Sequence, residues 1–122
     1  MTNTTTGLPT VVAAHIAAVN AQDEDAIVAT FADDALVNDA RREFWGAEAI
    51  RRWVAREMVG DHVTIEITDV LEHRGDTIVR GRYDGTFDKT NLPDELILTN
   101  YFTVRDGKIV SLFVIRNTPA SY

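Results

Sequence analysis

The sequence contains no cysteine and only three prolines. The absence of cysteine excludes disulfide bonds, thiolate metal sites and a cysteine nucleophile. Basic residues are few and late, because twelve lysines and arginines stand against nineteen acids and the first of them is Arg41. Secretory signals and transit peptides need early positive charge, so the sequence favours the cytoplasm. The net charge of −7 argues against nucleic-acid binding, which requires clustered positive charge.

Long hydrophobic runs and internal repeats are also lacking. The longest uncharged stretch after the threonine-rich start is rich in alanine and includes His15 and Asn20, so it predicts no membrane span. The 122 residues are 45% hydrophobic and 25% charged, which is typical of one globular domain. We expect residues 1–7 to form a mobile tail and residues 8–122 to form the domain.

The first half of the chain has mainly helical periodicity. Asp23 has the position of a helix N-cap, and Gly60 that of a C-terminal stop. We predict, in chain order, a helix over residues 9–21, a second helix from 24 to about 33, a short strand over 35–39, a polar loop over 41–43 and a third helix from 47 to 59.

The second half alternates in the manner of β-strands. Turns are predicted at Arg74-Gly75-Asp76 and at Asp106-Gly107. We predict strands over residues 63–71, 77–87, 96–104 and 109–116. Helices followed by strands predict an α+β fold, with a curved antiparallel sheet wrapped on three N-terminal helices. Gly81 and Gly85 mark strong curvature or a close approach of another group, and such a sheet tends to enclose a pocket.

Strand parity separates a core face from an outer face. The inward set on the third long strand is apolar except for Asn100, and a buried amide requires hydrogen-bond partners. The outward residues include four large apolar side chains, Ile97, Tyr101, Phe113 and Ile115. Because such a face is too apolar to be left in water, we predict a homodimer through this convex side of the sheet.

The stretch Asp23–Trp53, DEDAIVATFADDALVNDARREFWGAEAIRRW, resembles the nuclear transport factor 2-like superfamily. The closest resemblance is to its SnoaL-like polyketide cyclase and ketosteroid isomerase branches, through the A-D-D-A-x-V-x-D run and the closing D-G-K-I hairpin. The order of elements matches from Leu8 to Arg116. The resemblance implies a cone-shaped fold that encloses a pocket, on a scaffold that hosts enzymes, transport factors and binding modules alike.

The resemblance to ketosteroid isomerase also assigns expected roles. Asp39 falls where that family keeps its general base, and His15 falls where it keeps a tyrosine that donates to the enolate oxygen. Asn100 falls where a protonated aspartic acid is the second donor, and Arg116 where an aromatic residue lines the pocket. Of these four positions only Asp39 is identical, so the resemblance implies a layout of one carboxylate facing two potential donors.

Structural roles compete with each of these assignments. Asp39 has the position of a turn former, and His15 that of a histidine satisfied within the core. For Asn100, the alternative to a pocket water or a ligand oxygen is a partner within the fold, His15 or Asp39. Arg116 has three options: its side chain extends to solvent, pairs with an acid, or binds a polar ligand group. The apolar lining of the pocket is expected from Phe31, Trp45, Trp53, Met58 and Tyr83.

The resulting hypothesis is a pocket protein for a compact, mainly apolar keto or hydroxy compound, with possible isomerase, cyclase or dehydratase activity and no cofactor. Asp39 removes a proton, while His15 and Asn100 stabilise the enolate-like oxygen. The rival is a non-catalytic ligand-binding or dimerising domain. A site like that of limonene epoxide hydrolase is disfavoured, because Val114 stands where its second acid is needed. His62 and His73 lack further ligands at a suitable spacing, so no metal site is expected.

Overall fold

A computed structural model describes residues 8–90 and 92–116, and the predicted tail over residues 1–7 lies outside this part. The helices are α1 (Thr10–Asn20), α2 (Glu24–Ala29) and α3 (Gly46–Trp53), which continues as a π-helix (Val54–Val59); the strands are β1 (Phe31–Asp39), β2 (Arg42–Trp45), β3 (Thr64–His73), β4 (Asp76–Asp84), β5 (Leu96–Arg105) and β6 (Lys108–Arg116). The predicted α+β class is confirmed. None of the described helices is long and apolar enough to cross a bilayer.

The first strand and its hairpin differ from the prediction. The Asp23 side chain accepts from Ala26 N as the expected N-cap, but α2 ends at Ala29 and β1 begins at Phe31. The predicted polar loop is a two-residue turn, Ala40-Arg41, followed by β2. Both turn residues have positive φ, 54° and 69°. The sequence does not indicate this hairpin, because two-residue turns with positive φ at both positions normally contain Asn-Gly or Asp-Gly.

The six strands form one mixed sheet in the order β2-β1-β6-β5-β4-β3. The four long strands predicted from residue 63 onward are antiparallel to their neighbours along the chain, but β1 pairs with β6 in parallel. The alternation of side chains along a strand does not identify which strand lies beside it. Because more than half of the chain separates β1 from β6, their parallel pairing could not be predicted from the sequence. The pairing sets Asp39 opposite Val114.

The predicted turns and the close approach at glycine are confirmed. Asp106 and Gly107 have φ values of 53° and 75°, as a two-residue hairpin requires. A Cβ on Gly81 would lie 2.7 Å from Ile65 Cγ2, and one on Gly85 would lie 2.6 Å from the carbonyl oxygen of Asp61. The backbone of β4 and its extension therefore packs closely against β3 and the segment before it.

The predicted strand parity holds over residues 100–102 of β5 and 112–115 of β6, whereas Thr99 and Ile109 are buried although their parity is that of the outer face, and the register shifts between Thr103 and Val104. Asn100 and Phe102 are 2% and 1% exposed, and Leu112 and Val114 are buried on the same face. Opposite them on the outer face, Tyr101, Phe113 and Ile115 are exposed. The core thus lies between the inner face of the sheet and the buried sides of the helices.

His15 lies on the buried side of α1 and is 1% exposed. Its ring meets Phe31 and Phe102 edge to face, with centroids 5.3 Å and 5.4 Å apart. Its Nδ1 is 3.0 Å from Thr30 Oγ1. Burial lowers the pKa of His15 from 6.5 to about 4, so the imidazole is neutral at physiological pH.

This buried imidazole makes stability depend on pH. His15 takes up a proton below pH 6.5 in the unfolded chain but only below about pH 4 in the folded protein. Folding is therefore penalised as the pH falls through this window, by about 2–3 kcal/mol at pH 4.5 relative to pH 7. We expect His15→Gln to remove this part of the acid sensitivity, measured by urea unfolding at both pH values.

The matched control is His73→Gln, which changes an exposed histidine at the end of β3. It should retain the full wild-type loss of stability between pH 7 and pH 4.5. The same pH dependence in wild type and His15→Gln would contradict the interpretation of His15 as a neutral core residue.

Candidate functional site

A cavity of about 180 Å³ lies between the helices and the inner face of the sheet. Its apolar wall consists of Trp53, Met58, Val63, Phe87, Leu92, Leu96, Leu98, Leu112 and Val114. Its polar residues are His15, Asp39, Glu57, Asp61, Tyr83 and Asn100. A small number of polar groups in a mainly apolar wall is typical of a small-molecule site.

The Asp39 carboxylate lies at this wall because β1 ends there. Its side chain is 23% exposed, and its Oδ2 accepts from Trp53 Nε1 at 3.1 Å and from Arg42 Nη2 at 3.0 Å. Burial raises the pKa of Asp39, while the hydrogen bond from Trp53 and the charge of Arg42 oppose the rise and the charge of Glu57 adds to it. The carboxylate is therefore a stronger base than one in water.

Arg42 links Asp39 to a second acid. The β1–β2 turn brings its guanidinium back over Asp39, where it also donates to both carboxylate oxygens of Glu57 at 2.7 Å. Such a two-pronged pair fixes the geometry of both partners. Because Oδ2 of Asp39 takes both donors, Oδ1 is the oxygen left for a ligand among the described contacts.

Asn100 is oriented by two bonds. Its Oδ1 accepts from the Tyr83 hydroxyl at 2.9 Å, and its Nδ2 donates to the carbonyl oxygen of Val79 at 3.3 Å. A flipped amide would set two oxygens against each other at Val79, so these contacts determine which way it points. The second hydrogen of Nδ2 has no partner among the described contacts. Burial also raises the pKa of Tyr83, which keeps its phenol protonated.

The structure brings six of the nine predicted site residues to one cavity. These are His15, Asp39, Trp53, Met58, Tyr83 and Asn100. They come from α1, β1, the end of α3, the π-helix, β4 and β5. The cavity therefore combines the Asp39 carboxylate with the His15, Tyr83 and Asn100 side chains, which can form hydrogen bonds.

The other three predicted residues lie elsewhere. Phe31 is buried behind His15, with its edge-to-face contact in the core. Trp45 is 63% exposed, because β2 is a strand and its parity turns Phe44 toward Trp53 and Trp45 outward. Arg116 is exposed at the end of β6, beside a shallow groove that Arg41 and Phe113 also line. The option in which Arg116 extends to solvent is the one that fits.

Several residues that line the cavity were not predicted, although the sequence pattern could have indicated two of them. Phe87 shares the parity of Tyr83, and Glu57 follows Trp53 by four residues on a helical face. Asp61 and Leu92 come from connections between elements, where periodicity carries no information. Within the described ranges, no three His, Asp or Glu side chains are grouped to hold a metal.

The comparisons with known proteins agree with this architecture. The family model for the SnoaL-like domain matches residues 12–112. A protein of Sinorhizobium meliloti, provisionally named a polyketide cyclase, is 30% identical, with a TM-score of 0.78 over 88% of this chain and 94% of that one. No curated protein sequence matches the chain.

More distant structures show the same fold. A protein of Catenulispora acidiphila with a ketosteroid isomerase-like fold, solved in complex with trimethylamine, is 23% identical at a TM-score of 0.73, over 87% of this chain and 84% of that one. A provisionally named ketosteroid isomerase of Kribbella flavida is 11% identical at a TM-score of 0.75, over 93% and 80%. With the family match over most of its length, the chain belongs to the SnoaL-like family, on the nuclear transport factor 2-like fold.

Proposed function

We propose that this protein binds a compact keto or hydroxy compound in the cavity and catalyses a proton transfer on it without a cofactor. The observation that carries the proposal is the position of Asp39: a carboxylate with a raised pKa at an apolar wall, in a cavity that also contains the Asn100 amide. A base of this kind is suited to remove a proton from carbon next to a carbonyl.

In this mechanism, Asp39 Oδ1 takes the proton and the electron pair moves to the carbonyl oxygen. The free N–H of Asn100 then donates to the developing enolate. Tyr83 acts through Asn100, because its hydroxyl donates to Oδ1 and polarises the amide. Return of that proton from Asp39 to another carbon is an isomerisation. Its transfer to a β-hydroxyl, which leaves as water while the C=C bond forms, is a dehydration. Attack of the enolate carbon on a second carbonyl closes a ring, and the resulting alkoxide takes the proton from Asp39.

The size of the cavity limits the substrate. Its volume is about 180 Å³. Engineered protein cavities of about 150 Å³ bind benzene. A single ring or a short chain fits a volume of this size. The provisional name of the Sinorhizobium relative, polyketide cyclase, supports a substrate with more than one carbonyl group.

The second candidate function is a non-catalytic ligand-binding or dimerising domain, and the outer sheet face favours it. Tyr101 and Phe113 are cross-strand partners and each is 38% exposed, while Ile115 is 51% exposed. Ile97 lies on the same face of β5. Contiguous apolar surface of this kind marks an interface. We propose that a second copy covers it in a homodimer, and that the protein acts in the cytoplasm.

Asp39→Asn tests the base. The amide keeps the shape of the side chain and an oxygen for Trp53 but has no basicity, so we expect turnover to fall by about 10²–10⁴-fold while ligand affinity stays within a few-fold. The measurement is deuterium exchange and isomerisation of one-ring unsaturated ketones and β-dicarbonyl compounds. In wild type, kcat/KM should rise with pH as Asp39, whose pKa is raised, loses its proton. This rise should be absent in the variant.

Asp34→Asn is the control, because Asp34 is an exposed acid on the same strand. It should leave turnover unchanged. Equal turnover in wild type and Asp39→Asn would remove Asp39 as the base. No turnover by wild type on any compound of the panel would favour the binding domain.

Asn100→Leu tests the donor. The change leaves the Tyr83 hydroxyl and the Val79 carbonyl without their amide partner, so we expect a loss of about 1–2 kcal/mol of stability. Adding Tyr83→Phe should recover part of the loss, since both polar partners are then gone. Affinity for ketones should fall in Asn100→Leu and persist in Tyr83→Phe. Urea unfolding and calorimetric titration measure the two effects, and unchanged ketone affinity in Asn100→Leu would contradict a donor role.

Phe113→Lys tests the dimer. Sedimentation equilibrium at micromolar concentration should give a dimer mass for wild type and a monomer mass for the variant, because the lysine charge cannot be buried unpaired. Leu71→Lys is the matched control, since Leu71 is 52% exposed on β3 outside this set. A monomer mass for wild type would end the proposal of association through this face.

A further inference from the structure

The protonation of His15 is determined by a chain of hydrogen bonds that starts at the backbone. Thr30 Oγ1 lies 2.6 Å from the carbonyl oxygen of Ile27. A carbonyl cannot donate, so the single hydrogen of the Thr30 hydroxyl points at Ile27. At Thr30 Oγ1 only lone pairs remain, and the contact with His15 Nδ1 at 3.0 Å must be a donation from the imidazole N–H.

The opposite arrangement is excluded by the same distances. If Nδ1 were the acceptor, the Thr30 hydrogen would point at the ring, and two oxygen lone pairs would face each other at 2.6 Å across to Ile27. The ring carries only one proton, because burial lowers its pKa to about 4. Nε2 of His15 therefore carries a lone pair.

This lone pair has no partner among the described residues, and the residue that carries it borders the cavity. His15 is one of the lining residues, and Phe31 and Phe102 pack against the ring edge to face. Among the described residues, the enclosed side-chain polar atoms without a partner are Gln22 Oε1 and Arg80 Nε. Nε2 has no described protein partner and is not one of these enclosed atoms, and the cavity that His15 lines is where a donor could reach it. A lone pair on a side chain that is 1% exposed requires a donor from whatever enters.

We infer that Nε2 of His15 accepts a hydrogen bond from a hydroxyl group of the ligand, so that the cavity selects compact hydroxy-carbonyl compounds over carbonyl compounds without a hydroxyl. A hydrogen-bond donor and a hydrogen-bond acceptor bind the two ends of the ligand. The N–H of Asn100 donates to the carbonyl oxygen, and Nε2 of His15 accepts from the hydroxyl. Sequence reasoning expected His15 to be a second donor; its bond to Thr30 makes it the acceptor instead. The inference relies on the proposed function for the carbonyl end alone.

The ring protonation is measured directly by ¹⁵N NMR of histidine-labelled protein at pH 7. We expect Nδ1 of His15 to give a protonated, pyrrole-type signal and Nε2 an unprotonated, pyridine-type signal. Addition of 3-hydroxybenzaldehyde should shift the Nε2 signal, because its lone pair then accepts a hydrogen bond. A protonated Nε2 in the free protein, or an Nε2 signal that does not move at saturation, would overturn the inference.

Ligand selection is measured by calorimetric titration with 3-hydroxybenzaldehyde and 3-methylbenzaldehyde, which are close in size and share the carbonyl group. The informative quantity is the ratio of their two dissociation constants. We expect His15→Phe to move this ratio toward the methyl compound by about tenfold, since a buried hydroxyl then has no acceptor. An unchanged ratio, or no saturable binding of either compound to wild type, would overturn the inference.

Thr30 supplies a second pair of variants. Thr30→Val keeps the volume but removes the acceptor of Nδ1–H, so we expect the proton to move to Nε2 and the ratio to shift toward the methyl compound. Thr30→Ser keeps the hydroxyl and should keep the wild-type ratio. If Thr30→Val fails to fold, the ¹⁵N spectrum of the wild type and the ratio of dissociation constants of His15→Phe still test the inference. A protein that prefers the hydroxy compound but turns over no carbonyl compound would overturn the proposed function and leave this inference standing.

Discussion

The site depends on placing a carboxylate at an apolar wall while hydrogen-bond donors hold one of its two oxygens. Burial raises the pKa of Asp39, and the structure limits that rise with two donors on one oxygen, from Trp53 and Arg42. The second oxygen has no partner among the described contacts, so it remains available to take a proton. Glu57 in turn holds Arg42 by both oxygens.

The other polar groups of the cavity follow the rule that a buried donor or acceptor needs a partner. Asn100 uses its oxygen and one hydrogen on Tyr83 and Val79, and His15 uses Nδ1 on Thr30. Each side chain keeps one hydrogen-bonding position unfilled, and the two positions differ in sign. Structural and functional roles therefore coexist on the same residue: the bond that satisfies a side chain in the core also determines what its remaining atom offers a ligand.

Much of this arrangement was predictable where periodicity applies. The inward position of Asn100 follows from strand parity, and the polar layout from the family resemblance at Asp39. The position of Trp45 was predicted wrongly because β2 was not predicted. The turn before it, Ala40-Arg41, has positive φ values but contains neither glycine nor asparagine to indicate them. Arg42 was missed for the same reason, since a loop gives no reason to point it at Asp39. The state of His15 depends on a distance between Thr30 and Ile27 that spacing does not encode.

The parallel pairing of β1 with β6 has a consequence for how the protein is made. Asp39 reaches its position only when β1 lies beside Val114, and β6 is the last strand of the described chain to be synthesised. Until that strand leaves the ribosome, one edge of β1 stays unpaired, as an exposed template for other chains. Pairings between such distant segments form slowly. Assembly of the cavity is therefore a late event, and a nascent chain stalled before β6 would have the helices and most of the sheet but no site.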